Sequence, residues 1–182
     1  MKVEKWKTLS SRYALEDKWA TVRIDKCEMP DGTIAHDYYV LEYPSWVNAL
    51  AVTTDGKFIL VKQYRLAGDV ISLELPGGVA DKGEDLETAI RRELLEETGY
   101  TFTKAVKVAS LNTNAATSNN LIHTFLLEGG IKTAEPTPDE HEILETCLFD
   151  LIELKDLLKE QKIVQSMHVA GIFYALDVLN SK

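Results

Sequence analysis

The stretch from Gly78 to Tyr100, GVADKGEDLETAIRRELLEETGY, constrains this chain most, because its acids fall on the wrong side of a helix. Leu86, Ala89, Ile90 and Leu94 recur at the spacing of one helical face and Gly99 supplies a C-terminal stop, which predicts a helix from about Asp85 to Thr98. At about 100° per residue the apolar stripe centres on Leu86, Ile90 and Leu94, with Glu93 and Glu97 inside it and Glu96 on its flank. Carboxylates turned toward the protein body repel one another and lose hydration, a cost that stands unless something neutralises them. A hard divalent cation with oxygen ligands is one answer. A surface helix with stabilising pairs one turn apart, such as Arg92 with Glu96, is the other.

The rest of the chain supplies strands for that helix to pack on. Ala20 to Ile24 alternates like a half-buried strand, Pro30-Asp31-Gly32 marks a turn, and His36 to Tyr43 resumes β-rich sequence. Pro44-Ser45 then separates a small β unit, residues 1–43, from a main domain, residues 44–182. Val47 to Thr53 and Phe58 to Tyr64 flank Asp55-Gly56, a strong hairpin signal because the tight turn needs positive φ. Strands are expected near Ile71–Leu75, Val106–Leu111, Ile122–Glu128 and Thr146–Phe149, a polar loop over residues 112–120, and helices over Leu151–Lys159 and Val164–Leu179. Strands with helices between them imply a sheet covered on both faces.

A chain of 182 residues can bury one full core with a small appended unit. Its net charge of −9 argues against a nucleic-acid backbone as partner, which would need clustered Lys and Arg. The acidity leaves room for a small phosphorylated substrate, since a metal can bring the missing positive charge. Cys27 and Cys147 lie far apart and form no metal-binding pattern, which reads as reduced thiols in a cytosolic protein. MKVEKWKTLS lacks an apolar signal core, and the longest apolar stretch, Val169 to Leu179, contains Asp177 and is too short to span a bilayer. The expectation is a cytoplasmic protein with neither membrane nor nucleic acid as partner.

Gly78, Glu84, Arg92, Glu93, Leu94, Glu96, Glu97, Gly99 and Tyr100 together match the Nudix box, a glycine–loop–helix motif, and the chain resembles the Nudix hydrolases. Tyr100 stands where the family more often has an aliphatic residue. The flanks, Val61-Lys62-Gln63-Tyr64-Arg65 and Glu74-Leu75-Pro76-Gly77-Gly78, are similar to those of the ADP-ribose and nucleotide-sugar pyrophosphatase branch, as is the N-terminal unit with Pro30-Asp31-Gly32. The likeness covers essentially the whole chain. It implies an α/β fold, an α/β/α sandwich around a mixed sheet, with residues 1–43 as a small β-rich dimerisation unit. The homodimer would have active sites built from both subunits. Strict ADP-ribose enzymes of the branch usually carry a proline in the loop after the box. Asn114-Ala115-Ala116-Thr117 stands there instead, which favours a broader nucleoside diphosphate sugar hydrolase.

The resemblance implies metal-dependent hydrolysis of the pyrophosphate bond of ADP-ribose or GDP-mannose type substrates, giving a nucleoside monophosphate and a sugar phosphate. The alternatives are a pyrophosphohydrolase of nucleoside triphosphates or RNA caps, and a non-catalytic ADP-ribose-binding module. The N-terminal unit and the acidity count against the first, and the intact box carboxylates against the second. By the same likeness Glu93, Glu97 and the Gly77 carbonyl hold Mg²⁺ or Mn²⁺, and Glu96 is a further catalytic carboxylate that can complete the site. Arg92 is a fixed partner of the box carboxylates, and Glu84 is open between a metal role and orienting the loop through Arg92. Arg65 and Gln63 are substrate-binding candidates, with Arg65 aimed at the phosphates. Trp46 is a candidate platform for the base, packing being the alternative for it as for Trp6 and Trp19. The general base is expected from the acidic loop Asp139-Glu140-His141-Glu142, with Glu140 the match and Glu142 in reserve. The four histidines show no metal spacing and receive no role.

Overall fold

The computed structural model describes residues 2–139 and 142–181. Its chain divides into two compact units. The first takes the residues up to Pro44 together with Asn112–Leu121, and the second takes Ser45–Leu111 and the residues from Ile122 onward.

The first unit is a three-stranded antiparallel sheet of β1 (Lys7–Glu16), β2 (Thr21–Glu28) and β3 (Ile34–Glu42), in that order. Asp31 accepts from the Thr33 amide and Gly32 takes positive φ, which closes the turn foreseen between β2 and β3. All ten residues of β1 are exposed. The loop after the main helix also belongs here. Thr117 O accepts from the Leu41 amide at 2.7 Å, the Asn119 amide donates to Leu41 O at 3.2 Å, and Tyr38 Oη donates to Ala116 O at 2.9 Å.

The second unit carries β4 (Trp46–Thr53), β5 (Phe58–Arg65), β6 (Val70–Glu74), β7 (Gly77–Val79), α1 (Leu86–Thr98), β8 (Tyr100–Thr101), β9 (Lys104–Asn112), β10 (Leu121–Lys132), β11 (Glu145–Phe149), α2 (Leu151–Lys159) and α3 (Ser166–Asn180). The sheet runs β11-β5-β4-β10-β8, with β6 on β5, β7 on β4 and β9 on β10. β10 lies parallel to β4, while β5, β7 and β8 make antiparallel pairs, so the sheet is mixed.

Strand alternation sorts the core onto two faces. Val47, Ala49, Ala51, Ile59, Phe125 and Leu127 pack with Ala89, Ile90 and Leu94 of α1. Leu50, Phe58, Leu60 and Leu126 point the other way, onto Leu154 of α2 and Ile172, Ala175 and Leu176 of α3. The fold is thus the expected α/β/α sandwich. Helix α1 starts where Asp85 accepts from the Glu87 and Thr88 amides and stops at Gly99 in the left-handed region. Helix α2 opens on a reciprocal capping box between Asp150 and Glu153. No described helix is long and apolar enough to cross a membrane.

Candidate active site

The site grows from the contact between the Gly77-Gly78 turn and the inner face of α1. Gly77 adopts φ 149°, and a Cβ there would meet Val47 O at 2.1 Å. A Cβ on Gly78 would sit 2.6 Å from the Glu93 carboxylate, so the missing side chain is what lets that carboxylate reach the backbone. The Gly77 amide donates to Glu97 Oε2 at 2.8 Å.

The acids in the apolar stripe are buried as their spacing predicts. Glu97 is 4% exposed, and Glu93 is half-buried while Glu96 is more open. Burial pushes the Glu97 carboxyl up to about 8, with the Glu93 and Glu142 charges adding to the effect and the Gly77 amide and Arg65 opposing it. Burial also raises Glu93, against the pull of Arg92, and Glu96 and Glu142 reinforce the rise.

Arg92 ties the outer carboxylates together. Its Nε and Nη2 donate to Glu84 at 3.1 and 3.0 Å, Nη1 donates to Glu93 at 2.9 Å and Glu96 at 3.1 Å, and Nη2 also reaches Val79 O. Glu84 in turn accepts from the Asp81 amide. With both guanidinium edges occupied, Arg92 is a strut between loop and helix, and Glu84 makes contact with it.

Arg65 ends β5. Its Nε and Nη2 donate to the two oxygens of Glu74 at 3.0 and 2.7 Å, and its side chain is 49% exposed. Gln63 Nε2 donates to the same carboxylate at 3.4 Å. Glu74 is 1% exposed; burial opposes its ionisation, and hydrogen bonds from His168 and Arg65 outweigh burial and hold it down at about 2. Trp46 opens β4 beside Val79 and Ile122 and is partly buried. Glu142 is exposed, and its charge acts on Glu93, Glu97 and Arg65. Glu140 lies outside the described residues.

The structure therefore gathers Gly77, Glu93 and Glu97, with Glu96 beside them through Arg92. Arg65 and Glu142 act on Glu97 by charge, and Gln63 is turned toward Glu74. Sequence reasoning passed over Glu74 and His168. His168 is buried, accepts at Nδ1 from the Leu75 amide at 3.2 Å and sits with Nε2 3.4 Å from Glu74. The only available signal was a histidine on the inward face of an apolar helix, and its partners lie some ninety residues earlier in the chain.

A metal fits this donor set. Among the described residues no three His, Cys, Asp or Glu side chains form a ready ligand cluster. Yet the Glu97 carboxylate takes a single hydrogen bond among those residues, from the Gly77 amide. Buried acids that lack compensating donors, beside backbone oxygens, suit a hard divalent ion.

The family model described as NUDIX domain matches residues 44–168, and that described as nucleoside diphosphate sugar hydrolase N-terminal domain matches residues 6–41. The chain is 33% identical over 185 aligned residues to an ADP-ribose pyrophosphatase of Bacillus subtilis, covering all of this chain and 96% of that protein. It is 28% identical to a methanol dehydrogenase activator of Bacillus methanolicus, over 92% of this chain and 91% of the relative. A crystal structure of an ADP compounds hydrolase superposes with a TM-score of 0.87 at 20% identity, covering 100% and 97% of the two chains, which establishes the shared fold. With the NUDIX match spanning most of its length and a relative this similar from end to end, the chain belongs to the Nudix family.

Proposed function

We propose that this protein is a Nudix pyrophosphatase that hydrolyses nucleoside diphosphate sugars, including ADP-ribose and GDP-mannose. Water adds to one phosphorus and the bridging P–O bond breaks, leaving a nucleoside monophosphate and a sugar phosphate. The observation that carries the reading is the Glu93–Glu97 face buried against Gly77-Gly78, with Arg65 acting on it by charge. The match of residues 6–41 to the nucleoside diphosphate sugar hydrolase N-terminal domain supports the substrate class.

Glu93, Glu97 and the Gly77 carbonyl would hold the cation, Mg²⁺ or Mn²⁺, which when bound neutralises phosphoryl oxygens and acidifies water. Arg92 holds Glu93 and Glu96 in place beside that site. Glu96 is the remaining box carboxylate that can complete the site. Arg65 binds the substrate phosphates, with Gln63 beside it on the same strand face, and Trp46 stacks on the base. A carboxylate of the 139–142 loop takes the proton from the attacking water. The charge of Glu142 at Glu97 supports a base from this loop, and Glu140 remains the first candidate by family likeness. Comparing kcat for Glu140→Gln and Glu142→Gln separates them, with about a hundredfold loss expected in the one that is the base. Two free cysteines fit a reducing, cytoplasmic setting. The exposed Trp6, Tyr13, Leu15 and Tyr39 of the first unit support its use as a homodimer contact.

Chromatography of reactions with ADP-ribose, GDP-mannose, ATP and capped RNA, each with Mg²⁺, tests the reading. Turnover of the two nucleotide sugars to monophosphate and sugar phosphate, with no free orthophosphate, is expected. Turnover of ATP or capped RNA alone would move the protein to another substrate class. Binding of ADP-ribose without turnover would make it a non-catalytic module.

A further inference from the structure

Glu74, the last residue of β6, has more donors than a strand-end carboxylate needs. Besides Arg65 and Gln63, it accepts from Gln165 Nε2 and lies 3.4 Å from His168 Nε2. Gln165 is the N-cap of α3, yet its side chain caps no helix amide and reaches Glu74 instead. An N-cap is ordinarily a short oxygen-bearing side chain that serves the helix, so the glutamine marks a second demand at that position. His168 is fixed by the backbone: its Nδ1 accepts from the Leu75 amide, so Nε2 carries the proton and donates toward Glu74.

These contacts have one consequence for Arg65. The side-on edge of its guanidinium, Nε with Nη2, is taken by Glu74, which leaves the end-on pair of Nη groups on a half-open side chain. An end-on pair is still a two-pronged donor for a phosphate. A long arginine free to rotate would lose entropy on binding, whereas one clamped along its side-on edge has already lost it.

We infer that Glu74 is a positioning residue: it clamps Arg65 so that the end-on edge meets the pyrophosphate of the bound nucleotide sugar, and Gln165 and His168 of α3 hold Glu74 in turn. This rests on the function proposed above. Leu75, the next residue, is held by the same set, since its amide is on His168.

Glu74→Gln keeps the size of the side chain but places an amide N–H against the guanidinium donors. A group that orients a ground-state phosphate contact moves KM rather than kcat. Glu74→Gln should therefore raise KM for ADP-ribose about tenfold or more, with kcat changed less than about threefold. Arg65→Gln should do the same, and adding Glu74→Gln to it should cost less than about twofold further. Gln165→Ala, which removes one donor and leaves the salt bridge, should raise KM about two- to fivefold, again with little effect in the Arg65→Gln background. It serves if Glu74→Gln does not fold. A Glu74→Gln protein with a lowered melting temperature but unchanged KM, or a loss fully additive with Arg65→Gln, would reduce Glu74 to a core ion pair. Direct titration with ADP-ribose separates this inference from the function. Weaker binding by Glu74→Gln in a wild type that binds without turnover keeps the inference and overturns the activity, while a wild type that neither binds nor turns over ADP-ribose sinks both.

Discussion

Glu74 and Glu97 are buried to nearly the same depth in the same unit, and their surroundings treat them in opposite ways. Around Glu74, side chains from β5 and α3 converge on both oxygens, and the carboxylate stays ionised to about pH 2. Around Glu97 there is one amide among the described residues, and burial, with the neighbouring carboxylates adding to it, pushes the group up to about 8. Burial depth therefore does not say whether a charge is part of the scaffold; the count of donors does. Where donors match lone pairs the charge is settled and rigid. Where they are missing, the site attracts whatever supplies positive charge. Arg65 stands between the two, bonded to Glu74 while its charge acts on Glu97.

Glu97→Gln gives the largest contrast. If Glu97 holds the cation as proposed, its loss removes several kcal/mol of charge stabilisation, which corresponds to roughly a thousandfold or more in kcat. The metal-free variant should melt at or above the wild-type temperature near neutral pH, because a group that ionises in the unfolded chain but is held protonated in the fold has gone. Glu74→Gln should instead lower the melting temperature. Metal-free melts in which the Glu97 variant unfolds and the Glu74 variant does not would break the comparison.

The pH dependence of metal-free stability should show the two carboxylates on opposite limbs. The raised Glu97 contributes fully below its ordinary value of 4.5, and that contribution is lost as pH rises through about 8. The depressed Glu74 contributes above 4.5 and loses its contribution as pH falls toward about 2. Thermal melts across this range should decline at both ends. Glu97→Gln should flatten the alkaline limb, Glu74→Gln the acid limb, and Mg²⁺ should restore stability near pH 8. An alkaline limb that persists in Glu97→Gln would assign it to another group.

The smallest effect concerns Ser72, two residues before Glu74 on the same strand face. Its hydroxyl is fully buried and has no hydrogen-bond partner among the described residues. Ser72→Ala should raise stability by up to about 1 kcal/mol, measured by denaturant unfolding. A loss of that size would mean the hydroxyl is another donor in the Glu74 set, and would sharpen the contrast with Glu97.

The sequence revealed α1 well because its signals are local: Asp85 caps it, Gly99 stops it, and Ile90 and Leu94 line its buried face. The same periodicity placed Glu93 and Glu97 inward. Strand β1 was read only as part of a β-rich first unit, without bounds of its own, because every residue in it is exposed and no burial pattern marks its ends. Strand β10 runs to Lys132 rather than stopping at Glu128, since Gly129 and Gly130 form a register shift within the strand instead of its end. Helix α3 begins at Ser166, two residues later than its apolar run suggested, because Gln165 is the extended cap. The Glu74 set was invisible for a different reason. Gln165 lies 91 positions from Glu74 and His168 lies 93 from Leu75, so no window of sequence contains the contact.

The loop Asn112–Leu121 makes the chain enter its first unit twice. An N-terminal extension that ended at Pro44 would be a removable module; this one is threaded back through by the β9–β10 connection. Deleting the first 44 residues would take away Leu41 and Tyr38, and with them the partners of the Thr117 and Ala116 carbonyls and the Asn119 amide. What remained would carry a ten-residue hook between two long strands, with those three backbone groups stripped of their partners. Recombination could exchange this unit between relatives only by moving two separate pieces of the gene at once, so its surface and the loop after the box must drift together.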